Sequence, residues 1–161
     1  MKIGIISDTH DNEANIQKVV KILKKEKCGM VLHAGDFVAP LTLEWYKGLP
    51  LIGVFGNNDG DIFRMMRKAK ENEVTMAGAV WEEVVDGHKM IMYHGTEPAI
   101  VDALIQCQKY DIVVYGHTHV VDIRTVGKTL VINPGTVHGF GEKATYVLLE
   151  TTTKKAKLCK L

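Results

Sequence analysis

Asp8 and His10 stand two residues apart; Asp36 follows Gly35; Asn57, Asn58 and Asp59 follow Gly56; His94 precedes Gly95; His117 and His119 flank Thr118 behind Gly116. Carboxylates, a side-chain amide and imidazoles of this kind ligate divalent transition metals, and imidazoles also move protons. The candidate ligands are Asp8, His10, Asp36, Asn57, His94, His117 and His119. That set is too large for one tetrahedral catalytic ion, which takes three protein ligands and keeps a position open. It fits two ions with water completing their shells, and one carboxylate must then bridge. Asp36, central in sequence order and isolated from other carboxylates, is best placed to do so. With no thiolate in the set, Mn, Fe, Ni or Zn is favoured over copper or an iron–sulfur cluster.

Each cluster ends a short apolar run: Ile3 to Ile6, Met30 to Leu32, Leu51 to Phe55, Met90 to Tyr93 and Ile112 to Tyr115. Such runs predict buried strands, and open α/β sheets place their sites where strands stop. If those ends remain extended, residues two apart point the same way, so Asp8 would converge with His10 and His117 with His119. Gly35, Gly56 and Gly116 permit sharp turns and close backbone approach. Each cluster alone has an ordinary explanation as a turn or a cap. Five of them at five strand ends do not behave as independent turns.

Between the runs, apolar periodicity predicts helices. One runs from a cap at Asp11 or Asn12 to about Lys27, burying Ile16, Val19, Val20 and Leu23. A short one follows Pro40 and carries Leu41, Leu43 and Trp45. A third covers Asp59 to Glu73, with Ile62, Met65, Met66 and Ala69 inward, and a fourth Glu97 to Lys109, with Ile100, Val101, Leu104 and Ile105 apolar. The second half turns to hairpins: Val80–Val85 with His88–Tyr93 across Asp86-Gly87, Val120–Val126 with Thr129–Ile132, and Thr145–Glu150 with Ala156–Leu161. Strand–helix alternation followed by hairpins predicts two packed sheets with helices outside, in one domain spanning residues 1–161.

The 161 residues carry a net charge of +1, which leaves no broad electrostatic footprint for nucleic acid. Lys18, Lys21, Lys24, Lys25 and Lys27 read as the solvated face of the first helix. Three cysteines without CxxC spacing argue against a disulfide framework and for a reducing compartment. The N-terminus enters a strand directly, with no signal-peptide or membrane-span pattern, so a cytoplasmic location is expected. The hairpins and the terminal strand are compatible with a homodimer.

Asp8-x-His10, Gly35-Asp36, Gly56-Asn57-x-Asp59, His94 and Gly116-His117-x-His119, in this order across nearly the whole chain, resemble the calcineurin-like metallophosphoesterase superfamily. The opening Met-Lys-Ile-Gly-Ile-Ile-Ser-Asp-Thr-His and the small size are similar to its compact bacterial and archaeal phosphodiesterase branch. The resemblance implies a four-layer α/β/β/α sandwich and a dinuclear site, with Asp8, His10, Asp36 and His119 on one ion and Asp36, Asn57, His94 and His117 on the other. It implies hydrolysis of a small phosphate diester by a metal-activated water, with manganese the first candidate. It also admits a different class of function, the protein-interaction scaffold of the retromer coat, in which the pocket is a relic.

One position departs from the pattern. The superfamily commonly has histidine after the first asparagine, as a phosphate contact and leaving-group acid; here it is Asn58. An amide can donate a hydrogen bond but has no proton to give up. Diesters should therefore be hydrolysed faster than monoesters, with Asn58 or His119 contacting phosphoryl oxygens and Asp59 either orienting its neighbour or capping the next helix. His33 reads equally as a structural or a supporting residue, and Asn133-Pro134-Gly135-Thr136 as a loop bordering the site or a plain turn. Substrate walls are expected near Phe37, Phe63, Glu97, Pro98, His138 and Phe140.

Overall fold

Isoleucine- and valine-rich strands alternate with amphipathic segments through the first half of the chain, and hairpins fill the second. The computed structural model describes residues 1–141 and 143–161. Its order is β1 (Lys2–Ile6), α1 (Glu13–Lys25), β2 (Met30–His33), a 3-10 helix (Pro40–Tyr46), β3 (Leu51–Gly53), α2 (Ile62–Glu71) and β4 (Thr75–Met76). Then come β5 (Val80–Val85), β6 (His88–Tyr93), α3 (Pro98–Gln106), β7 (Ile112–Val114), β8 (Asp122–Val126), β9 (Thr129–Asn133), β10 (Thr145–Glu150), a 3-10 turn (Thr151–Thr153) and β11 (Lys155–Lys160).

Two mixed sheets result, ordered β11-β10-β1-β2-β3-β4 and β5-β6-β7-β9-β8. The strands β1 to β4 are parallel, as are β6, β7 and β9, whereas the hairpins are antiparallel. Three apolar layers hold the stack together. Ile16, Val19 and Leu23 of α1 and Met65 of α2 pack on one side of the first sheet with Ile6 and Val31. Ile3, Ile5, Leu32 and Val147 meet Met90, Met92, Ile112 and Ile132 between the sheets. Val101 and Ile105 of α3 close the outer side of the second sheet over Ile91, Val113 and Val131. This is the expected four-layer sandwich.

Alternation of side chains explains the layering: Ile3 and Ile5 face the central layer, while Ile6, where the strand ends, joins the helix side. Trp81 lies in the central layer and Trp45 packs against the helix layer, so both tryptophans act as packing residues. The α1 cap is Asn12, whose side chain accepts from the Asn15 backbone N–H, and the lysines of α1 are exposed.

Three differences from the sequence expectation have local causes. α2 begins at Ile62 because Asp61 caps it, accepting from the Arg64 N–H at 3.2 Å; Asp59 is used elsewhere. Ile62 and Met66 are exposed (41% and 46%), since only Met65 and Ala69 of that helix are buried. Ile100 of α3 is likewise exposed. β4 is two residues long, too short for any periodicity to show. At the sheet edge, β11 carries Lys155, Lys157 and Lys160, the kind of charge that discourages pairing of two copies through that strand. Among the described residues no helix is long and apolar enough to cross a membrane.

Candidate metal centre

Parallel β1, β2 and β3 end along one edge of the first sheet, and parallel β6, β7 and β9 along one edge of the second. Asp8-Thr9-His10, Asp36 and Asn57 emerge from the first edge; His94, His117-Thr118-His119 and the 133–138 loop emerge from the second. The seven candidate ligands meet there. His10 Nε2 lies 3.4 Å from Asp36 Oδ2 and 3.8 Å from Asp8 Oδ1, and His119 Nε2 lies 3.3 Å from Asp8 Oδ1. His94 Nε2 lies 3.4 Å from Asp36 Oδ2 and 3.1 Å from Asn57 Oδ1. The His117 ring stands 5.2 Å from that of His94, and its backbone N–H donates to Asp8 Oδ2.

The chain does not reach this arrangement by staying extended. Asp8, His10, Asp36, His117 and His119 all have positive φ, between 40° and 66°, and the β-branched Val38 sits at 89°. Left-handed backbone is sparsely populated by non-glycine residues and costs on the order of 1–3 kcal/mol each, so such residues cluster where function requires them. The convergence of Asp8 with His10 is therefore produced by strained turns, not by the strand geometry expected from the sequence.

Two local imbalances show that the donors suit cations. The His94 ring gives its Nδ1 proton to the Ala34 carbonyl at 2.7 Å, which turns Nε2 toward Asn57 Oδ1 and Asp36 Oδ2. Three such atoms converging at 3.1–3.4 Å suit a shared cation, either a proton on Nε2 or a metal ion. A backbone carbonyl behind the ring is also the usual partner of a metal-ligating histidine. On the other side, Asp8 Oδ1 and His10 Nε2 are buried without a hydrogen-bond partner. Leaving such groups unpaired costs about 1–3 kcal/mol each.

Protonation follows the same logic. The Asp8 and Asp36 carboxylates raise the pKa of His10 against its partial burial. Burial opposes charge on His94, but Asp36 outweighs it and the value rises. Burial works against Asp36 as well, yet the His94 ring and two hydrogen bonds from Asn58 hold its carboxyl far below the usual carboxylate range.

Asn58 spends its donors on that carboxylate: its backbone N–H reaches Asp36 Oδ1 at 2.9 Å and its side-chain amide reaches Oδ2 at 2.7 Å. Asp59 neither caps α2 nor orients a neighbour. Its carboxylate accepts from the Gly56 and Val38 N–H groups, both at 2.7 Å, and from Asp36 N–H at 3.1 Å, tying the 36–38 and 56–59 segments together; burial, against those bonds, pushes its pKa up. His33 is a supporting residue. Fully buried and stacked on Phe37 at 3.6 Å, it is held neutral by burial, its pKa pushed down to about 3, and it contacts Thr9 Oγ1 at 3.1 Å. Tyr46 donates to the same threonine at 3.0 Å. Because Phe37 is inside this assembly, it lines no substrate wall, contrary to expectation.

The glycines matter for space. A Cβ at Gly56 would overlap the Asp36 carboxylate, and one at Gly116 would overlap the Ser7 hydroxyl and stand 2.8 Å from Asp8 Oδ2. Gly116→Ala should lower the melting temperature by several degrees, in line with overpacking costs of about 1–3 kcal/mol, and should weaken metal binding. Calorimetric melting with and without Mn measures both effects, and an unchanged pair of melts would rule out the steric account.

Sequence reasoning gave no metal role to His138, which is buried and lies against both His10 and His119. Its Nε2 is 3.2 Å from His119 Nδ1. Its position after the Asn133-Pro134-Gly135-Thr136 loop was the available signal. That loop does border the site: Thr136 Oγ1 donates to the Asp8 carbonyl at 2.9 Å. Outside the ring of histidines, Gly95, Pro98, Val101, Tyr115, Thr118 and Arg124 line a cleft of about 150 Å³.

Comparison with known proteins gives this geometry a lineage. Residues 1–154 match the calcineurin-like phosphoesterase superfamily domain. The chain belongs to that superfamily. Phosphodiesterase MJ0936 of Methanocaldococcus jannaschii is 36% identical over 143 residues, which cover 87% of this chain and 86% of that protein. The solved structure of an archaeal phosphodiesterase superimposes over the whole of both chains with a TM-score of 0.94 at 34% identity. Wild-type Vps29 of Entamoeba histolytica, solved with zinc, shares the fold of this superfamily member with a TM-score of 0.72 at 18% identity, covering 100% of this chain and 98% of that one.

Proposed function

We propose that this chain is a dinuclear metal-dependent phosphodiesterase acting on small phosphate diesters and only weakly on monoesters. The observation that carries the proposal is the convergence of ligand atoms: His94 Nε2 within 3.4 Å of Asn57 Oδ1 and Asp36 Oδ2 on one side, and Asp8 Oδ1 and His10 Nε2, both buried without a hydrogen-bond partner, on the other. Asp8, His10, Asp36 and His119 would hold one ion, and Asp36, Asn57, His94 and His117 the second, with Asp36 shared. Two divalent ions there would polarise a phosphoryl oxygen and lower the pKa of an attacking water. The donor set suits Mn first, with Ni, Fe or Zn as alternatives.

The protein's own groups then do the rest. Asn58 and Asp59 fix Asp36 from its two sides, and His33, Thr9 and Tyr46 stiffen the segment beneath. With its amide on Asp36, Asn58 has no proton for a leaving oxygen, so substrates with good leaving groups should turn over best. The name of the archaeal relative, a phosphodiesterase, supports the same substrate class. A scaffold of the retromer type would need no intact ligand set, and the complete set here favours the enzyme. Residues 1–161 are taken as one domain because both sheets share the central apolar layer. Three free cysteines support a reducing, cytoplasmic setting.

A metal-reconstituted screen over aryl and nucleotide diesters tests the proposal: activity should vanish with chelator and return with Mn, and full activity in the stripped protein would defeat it. Protons on His10 and His94 compete with metal, so Mn affinity should fall as pH drops through their raised pKa values. Without metal the sign reverses. Raised histidine values stabilise the fold fully below the ordinary 6.5 and lose that contribution as pH rises through the folded value. Melting of stripped protein from about pH 6 to about pH 8 should therefore show declining support from these two rings, with Mn restoring it. A Mn-induced gain in melting temperature that is larger at the acid end would contradict this assignment.

A further inference from the structure

We propose that Phe140 is a stacking platform for an aromatic ester arm, an aryl or nucleobase ring, of the diester held at the metal centre; this rests on the phosphodiesterase reading. The loop that carries it is fastened to the segment bearing Asp8. Val137 and His138 donate their backbone N–H groups to the Ser7 and Asp8 carbonyls at 3.1 and 3.0 Å, and the Asn12 side chain donates to the His138 carbonyl at 2.7 Å. The His138 ring, thus fixed, stands edge-on to His10 at 4.9 Å and to His119 at 4.6 Å.

Phe140 continues that stack outward. Its backbone N–H donates to His138 Nδ1 at 2.8 Å, and its ring lies nearly parallel to the imidazole at 4.9 Å and 27°. Gly139 and Gly141, both at positive φ (70° and 74°), let the chain bend so that backbone and ring meet the same histidine. One face of the ring is covered by His138, while the residue as a whole is 65% exposed. A lone exposed phenylalanine is ordinary. Here the ring is held in place one imidazole away from two candidate ligands.

Ring centroids step outward by 4.6 Å from His119 to His138 and 4.9 Å from His138 to Phe140, so an ester arm leaving the phosphorus on the His10–His119 side would run along His138 toward the Phe140 ring. A flat face extending an aromatic stack discriminates in favour of rings over small alkyl arms. Stacking of a base or aryl ring on such a face changes affinity by about tenfold.

The test compares binding of diphenyl phosphate and dimethyl phosphate, which carry the same charge and phosphorus, to the Mn-loaded protein by calorimetry. The wild type should prefer the diphenyl ester by about tenfold. Phe140→Ala should bring that ratio close to one without changing dimethyl phosphate affinity, Phe140→Leu should give an intermediate ratio, and Phe140→Trp should keep it. Val84→Ala, which removes an equally exposed apolar side chain from β5, should leave it unchanged. A wild-type ratio near one, or a Phe140→Ala ratio equal to wild type, overturns the platform. Turnover of a bis-aryl phosphate is measured in parallel. A Phe140-dependent ratio without turnover would leave the platform standing while removing the enzymatic reading, and turnover without the ratio would do the reverse.

Discussion

Replacing Asp36 by alanine will lower metal-dependent diester hydrolysis by on the order of 10³-fold or more and reduce the bound metal per chain. A bridging carboxylate contributes to both ions at once, and metal ions supply several kcal/mol of transition-state charge stabilisation. No other side chain can substitute. Asp36 Oδ2 lies within 3.4 Å of both His10 and His94, and among the described residues the remaining carboxylates of the site are committed elsewhere: Asp8 toward His119 and His117, Asp59 toward three backbone N–H groups. Asp36→Ala also removes the acceptor for both Asn58 donors. Metal content, diester turnover and melting of the variant, measured together, separate loss of the site from loss of the fold. A folded variant with wild-type turnover would refute the shared carboxylate.

The second large effect concerns Asn58. Asn58→His should raise monoester hydrolysis by about 10²-fold, the low end of what general acid catalysis contributes, with a smaller change for activated diesters. The reason is chemical: imidazole can deliver a proton to a poor leaving oxygen, and an amide cannot. The substitution also removes the 2.7 Å bond from the amide to Asp36, so metal affinity must be measured alongside turnover. Paired aryl mono- and diesters with Mn provide the readout. Unchanged monoester activity in a fully metal-loaded variant would show that this position does not limit leaving-group protonation.

Much of this site could be read from residue types alone. Asp8, His10, Asp36, Asn57, His94, His117 and His119 stand out as candidates because each follows an apolar strand, and strand ends in parallel sheets share one edge. How they converge could not be read. The turns at Asp8, His10, Asp36, His117 and His119 are left-handed, and although aspartate and histidine enter that region more often than most non-glycine residues, the residue type alone does not fix it. The residue type of Asp59 suits either a helix cap or an orienting role; its actual partners come from segments 36–38 and 56, which only tertiary packing brings together.

The same limit hid the buried Thr9–His33–Tyr46 contacts, since Tyr46 reaches the site only by the packing of the short helix that carries it. The helical stripe of α2 includes Ile62 and Met66, yet both are exposed, because periodicity reports which residues share a face, not how much of that face is covered. Fold class was more legible than these details. Strand–helix alternation followed by hairpins leaves few ways to bury both halves, and two sheets face to face is the one adopted.

Stripped protein titrated with Mn, with bound ions per chain and bis-aryl phosphate turnover followed at each point, tests the central claim most directly. The two-ion account predicts that turnover rises mainly as the second equivalent binds and that monoester turnover stays well below it. Full activity at one equivalent or less, or faster hydrolysis of the matched monoester, would contradict it.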